Sequence, residues 1–171
     1  MNTQRIRMRL EMTPGAIENC PGMRSATPDD QASLAALMLA AYAGGTDVDG
    51  EETIDDARAE IQRTFDGDYG ELLLGPSTVV AADDRIVAAT LITLHEALPL
   101  VTFTMTHPDW KRRGLARTTL ARAINELLAL QHATLDLVVT AANAPAVTLY
   151  RDLGFEDLGE AQGPPDQTIR I

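Results

Sequence analysis

Between residues 100 and 128 a β-prone run, Leu100-Val-Thr-Phe-Thr-Met-Thr106, leads through Lys111-Arg112-Arg113-Gly114-Leu115-Ala116 into an amphipathic segment. In that segment Leu120, Ile124, Leu127 and Leu128 fall on one helical face. The joint therefore reads as strand, short basic turn, helix. A helix N-terminus leaves backbone N–H groups unpaired and carries partial positive charge, so such a turn attracts anions. Gly114 allows close backbone approach, Ala116 keeps the next turn small, and Lys111, Arg112, Arg113 and Arg117 add charge suited to a diphosphate. A solvated basic turn capping a core helix shows the same local pattern. The turn is not a Walker loop, since no Gly-Lys-Ser/Thr follows, and it lacks the further glycines of a dinucleotide turn.

The basic cluster stands out because the 171 residues carry a net charge of −11. That charge disfavours nucleic-acid binding, which needs a broad basic face. No apolar run is long enough to span a bilayer, and no apolar stretch follows the N-terminal arginines as in a secretory signal. The cytoplasm is the default location, with no membrane partner. The single cysteine, Cys20, suits a reducing compartment and reads as an inert loop thiol. His95, His107 and His132 show no ligand spacing, so no metal is expected.

Along the chain, Ile6, Met8, Leu10 and Met12 alternate with Arg5, Arg7, Arg9 and Glu11, the period of an exposed or edge strand. Pro14-Gly15 ends it. Residues 1–21 form an N-terminal extension, either an extra edge strand or dimer arm, or a loosely attached tail. A short strand follows at 23–26, with Thr27 and Pro28 starting a helix whose stripe is Leu34, Leu37, Met38 and Ala41. Thr53 caps a second helix with Ile54, Ile61 and Phe65 inward. Residues 77–82 and 85–94 read as a hairpin on Asp83-Asp84, 99–106 as the next strand, and 135–140 as a buried one. Asn143 caps a short helix that Gly154 ends, and strands near 155–158 and 167–171 close a single domain over residues 1–171. Pattern alone supports an α+β domain.

Two segments carry more. Thr106-His-Pro-Asp-Trp-Lys-Arg-Arg-Gly-Leu-Ala116 and, behind it, Asn143-Ala-Pro-Ala-Val-Thr-Leu-Tyr-Arg-Asp-Leu-Gly-Phe155 resemble the GCN5-related N-acetyltransferase (GNAT) superfamily. The family motif Gln/Arg-x-x-Gly-x-Gly/Ala is here Lys-Arg-Arg-Gly-Leu-Ala, with Lys111 a departure. The clear match covers roughly residues 100–156. The resemblance implies a mixed, mostly antiparallel sheet splayed around acetyl-CoA and flanked by about four helices. It places backbone contacts to the cofactor arm at Thr104, Met105 and Thr106. The diphosphate falls at Arg112, Arg113, Gly114, Leu115, Ala116 and Arg117, and a further arm contact at Asn143. Tyr150 is implied as the general acid that protonates the leaving thiolate.

In the branch that acetylates peptide N-termini a glutamate stands five residues before the asparagine; here that residue is Val138. His95, Glu96 and the acidic run 47–56 are the remaining candidate bases. The reading is an acetyltransferase for a primary amine, expected to be a small cationic molecule drawn by that acidic run. The alternatives are a protein-lysine or N-terminal acetyltransferase and a non-catalytic CoA-binding sensor. A homodimer through the N-terminal strand is a further expectation.

Overall fold

The computed structural model describes residues 4–43 and 52–162. Twelve principal elements follow in order: β1 (Arg5–Glu11), β2 (Met23–Ser25), α1 (Gln31–Tyr42), α2 (Ile54–Phe65), β3 (Glu71–Leu72), β4 (Thr78–Ala82), β5 (Arg85–His95), β6 (Leu98–Thr106), α3 (Leu115–Ala129), β7 (Thr134–Thr140), α4 (Ala144–Asp152) and β8 (Glu156–Glu160). The strands form one sheet in the order β2-β4-β5-β6-β7-β1-β8, with β3 on β5. All pairs are antiparallel except β6 with β7. The expected mixed, mostly antiparallel sheet with four flanking helices is what the chain forms.

Local chemistry sets the element ends. Thr53 and Asp56 close a capping box at the start of α2, and Thr27 with Asp30 does the same for a 3-10 turn ahead of α1. The β4–β5 hairpin turns on Asp83 and Asp84, both at positive φ (51° and 60°), as a tight two-residue turn requires. Expected core residues Leu34, Leu37 and Met38 of α1, and Leu120, Ile124 and Leu127 of α3, are buried.

Each face of the sheet has its own core. α1 and α2 pack over Val79, Ala89, Leu91, Phe103 and Met105. α3 and α4 pack on the opposite face against Met8, Leu10, Val101, Leu135, Leu137 and Val139.

One expectation is overturned. β1 is not an edge strand: it lies between β7 and β8, pairing antiparallel with both. Alternation showed one apolar face but not how many partners the backbone had. Met8 and Leu10 fill the α3/α4 core, while Arg7 and Arg9 point the other way onto Asp136. The short β3 was also not anticipated from its glycine-rich surroundings. The strand expected near 167–171 and half of the carboxylates of the acidic run, Asp47, Asp49 and Glu51, lie outside the described residues.

Candidate active site

The site begins where the sheet divides. β6 pairs with β7 only at Leu100↔Asp136 and Val101↔Leu137. Beyond that point β6 keeps its ladder with β5, from Phe103↔Leu91 to Thr106↔Ala88, while among the described residues no strand pairs its other edge. The division coincides with a bulge: Leu91 faces Phe103 and Ile92 faces Val101, which leaves Thr102 as the extra residue. A bulge bends its strand and sharpens the local twist, so β6 veers from β7 at the bulge. Alternate backbone groups of residues 103–106 then point into the gap rather than to a partner strand. The three residues expected to offer backbone contacts, Thr104, Met105 and Thr106, lie on this stretch.

β6 runs out through a 3-10 turn, Pro108–Trp110, into the N-terminus of α3. Arg112 (φ 63°) and Gly114 (φ 74°) both take the left-handed conformation, which curls the backbone tightly. Gly114 is the N-cap, and no side chain caps the helix in its place. The first backbone bond runs from Thr118 N–H to the Gly114 carbonyl at 3.0 Å. The N–H groups of Leu115, Ala116 and Arg117 therefore have no acceptor within the helix. A Cβ added at Gly114 would meet nothing within 4 Å, so the turn opens to solvent. Arg113 lies over the Trp110 ring at 4.5 Å and donates to the Asp109 carbonyl. Its side chain thus braces the turn, and the backbone supplies the donors.

Tyr150 of α4 lies beside Thr104 on the open stretch of β6, and Asn143 precedes the same helix. Asn143 precedes α4 as its N-cap, and its Oδ1 accepts from Ala146 N–H at 3.3 Å. Its carboxamide N–H groups are left to donate to another partner. Tyr150 is fully buried, its ring edge-on to Phe155 with centroids 5.5 Å apart. Among the described residues its hydroxyl and that of buried Thr104 each lack a hydrogen bond of good geometry, although the two lie near enough to interact. Burial pushes the Tyr150 phenol well above the ordinary tyrosine range; the Thr104 hydroxyl opposes this only weakly, so the phenol keeps its proton. Two orphaned hydroxyls, one on the open strand and one on the helix beside it, fit a polar group entering the gap.

Thr104 as a side chain was missed by sequence reasoning, which used only its backbone. Its signal lay in the alternation of Thr102, Thr104 and Thr106 within an otherwise apolar strand. A related pair, Thr90 and Thr119, joins hydroxyls at 2.9 Å and locks α3 onto β5.

His95 and Glu96 are not brought to the site. They sit at the β5–β6 turn, where His95 pairs with Leu98. Six residues of strand separate Leu98 from Thr104, about 20 Å at roughly 3.3 Å per residue. A cavity of about 570 Å³ lined by Gln31, Gln62, Asp66 and Glu71 adjoins β3, which pairs with that same distal end of β5. Of the described acidic residues, Asp56 serves the α2 cap and Asp55 pairs with Arg58 at 3.2 Å. No group of three or more metal-ligating side chains occurs among the described residues.

The family described as FR47-like protein matches residues 84–162, which hold the open part of β6, the turn, α3 and α4. The ribosomal protein bS18-alanine N-acetyltransferase of Salmonella typhimurium is 41% identical over 98 residues, or 56% of this chain, and the match spans 64% of that relative's length. Its Escherichia coli counterpart is 36% identical over 96 residues, with the same coverage. Among solved structures, the E. coli ribosomal-protein-S18-alanine N-acetyltransferase superposes with a TM-score of 0.60 at 24% identity, covering 78% of this chain and 76% of that one. A GCN5-related N-acetyltransferase from Sphaerobacter thermophilus gives 0.65 at 18% identity, covering 92% and 48%. With its divided sheet and left-handed turn, the chain has the fold of the GCN5-related N-acetyltransferases and is similar to them in sequence across residues 84–162.

Proposed function

We propose that this chain is a single-domain, acetyl-CoA-dependent N-acetyltransferase acting on a primary amine. The observation that carries the reading is the orphaned Tyr150 hydroxyl beside the unpaired edge of β6. An unmet buried hydroxyl costs about 1–3 kcal/mol, and nothing within the described residues uses it.

When bound, acetyl-CoA supplies an acetyl thioester activated toward amines. The N–H groups of Leu115, Ala116 and Arg117, with positive charge from Arg112, Arg113 and Arg117, hold its diphosphate. The backbone of Thr104, Met105 and Thr106 and the Asn143 carboxamide align its arm. Tyr150 holds a proton on its phenol oxygen at neutral pH and gives it to the departing sulfur as the amine nitrogen bonds to the acetyl carbon. The phenol then recovers a proton from solvent. Val138 stands on the wall of β7 where a carboxylate would be needed, so the ammonium proton passes to water.

The acceptor in this reading is a small cationic amine, attracted by the acidic run 47–56. A second reading, acetylation of a protein N-terminus, is favoured by the bS18-alanine acetyltransferase relatives and opposed by Val138. The test pairs thermal denaturation with acetyl-CoA titration and measures thiol release over an amine and peptide panel. A ligand at 100 times its Kd adds about 2.7 kcal/mol, so the midpoint should rise clearly. No rise at millimolar acetyl-CoA refutes the proposal.

A further inference from the structure

β7 walls the gap, and its antiparallel partner β1 brings a charged cluster beside it. Arg7 pairs in register with Val138 and Arg9 with Asp136, so these side chains share a sheet face. That face belongs to neither core: β7 gives Leu135, Leu137 and Val139 to the α3/α4 side, leaving Asp136 and Val138 on the side of α1 and α2. The hydrophobic cluster beneath those two helices involves β4, β5 and β6 but not β7 or β1.

Asp136, 2% exposed, is the anchor. Arg7 donates from Nε and Nη2 to its Oδ2 at 3.0 and 2.6 Å. Arg9 donates from Nε to Oδ1 at 2.6 Å and from Nη2 to Oδ2 at 2.9 Å. Burial would push this carboxyl up, but the Arg9 and Arg7 hydrogen bonds outweigh it and hold Asp136 ionised. Two guanidiniums thus share one carboxylate and keep net positive charge. The Arg7 side chain is 45% exposed, and its bonds to Asp136 use Nε and Nη2 rather than Nη1. Arg9 also faces Glu156 across the β1–β8 ladder and feels nearby Glu11, so the guanidinium left to meet a further partner is that of Arg7. Its backbone lies one strand spacing, about 4.8 Å, from the Val138 wall. A guanidinium held by a buried carboxylate is preorganised, and its remaining donors suit a second carboxylate.

We infer that the acceptor amine also bears a carboxylate, held by the outward edge of Arg7 with Arg9 beside it. The inference rests on the acetyltransferase reading and replaces its simple cationic acceptor with a zwitterionic one: the carboxylate positions the acceptor, and the amine reacts once its ammonium proton has passed to water. A free amino acid and an acidic residue near a peptide N-terminus offer the same chemistry.

The experiment measures kcat/KM for free amino acids against their carboxamides, and for short peptides with Asp or Glu at the second residue against Asn or Gln versions. The carboxylate member should be favoured at least tenfold, through KM, and the better pair identifies the source. Arg7→Gln leaves Asp136 bonded to Arg9 and should collapse the ratio toward one without changing the KM for acetyl-CoA. Arg7→Lys should keep part of the preference, and rising salt should shrink it. Equal use of acid and amide, or an Arg7→Gln enzyme retaining the full ratio, overturns the inference alone. Absence of turnover with every amine, together with no thermal response to acetyl-CoA, overturns the acetyltransferase reading and the inference with it.

Discussion

Replacing Tyr150 with phenylalanine should move stability and activity in opposite directions. The ring is fully buried against Phe155 and stays in place in the variant. The lost atom is a buried hydroxyl that no described residue bonds with good geometry, with the Thr104 hydroxyl its nearest polar neighbour. Such a group costs about 1–3 kcal/mol of desolvation, partly offset by the small void its removal leaves. Tyr150→Phe should therefore be as stable as the parent or up to about 1 kcal/mol more so, a rise of about 2–4 °C in Tm for a chain this size. Loss of a positioned proton donor should lower kcat about 100-fold, near 2.7 kcal/mol on the barrier, with the KM for acetyl-CoA little changed. Differential scanning calorimetry and steady-state thiol release in one buffer measure both. The same phenol predicts an alkaline effect. Its pKa is raised in the fold, so its contribution is fully present below the unfolded value near 10 and is lost as pH climbs above it. Tyr150→Phe should flatten that loss. A variant destabilised by more than about 2 kcal/mol with kcat intact would show a hydroxyl bonded for structure, and would refute the reasoning.

Three further outcomes are expected. Gly114→Val should weaken acetyl-CoA binding at least tenfold by isothermal titration; because Gly114 is at φ 74°, it should also cost roughly 1–2 kcal/mol of stability. Unchanged affinity would mean the anion site is elsewhere. Asp136→Asn should remove an acid-sensitive component of stability: the lowered pKa makes this component present above about pH 4 and lost as pH falls. Urea midpoints from pH 6 to 2 for both proteins test this, and parallel curves would contradict it. Deleting residues 1–12 should abolish cooperative unfolding, since Met8 and Leu10 leave the core and β7 and β8 each lose a partner. A truncated protein with a native near-ultraviolet spectrum would show β1 to be dispensable.

Local features were legible wherever local chemistry decides the outcome. The strand–turn–helix joint could be read because Gly114, the basic residues and the 3.6-residue period of α3 are all short-range signals. Thr53, Asp83-Asp84 and Asn143 likewise announced their caps and turns. The family resemblance implied a sheet splayed around a slot and pointed to Thr104, Met105 and Thr106, which lie on the open stretch of β6. Properties that depend on distant residues were not legible. Alternation in β1 showed which side chains share a face, yet only the folded sheet decided that both its edges are paired. His95 and Glu96 carry suitable groups, but strand direction places them about 20 Å from Thr104 at roughly 3.3 Å per residue. The orphaned state of Tyr150, and the paired guanidiniums that meet Asp136 from 129 and 127 residues away, follow from which backbones pack together. Backbone propensity acts over a few residues and is written in order along the chain. Desolvation and charge pairing act over a few ångströms of space, so they were settled only once the sheet brought those residues side by side.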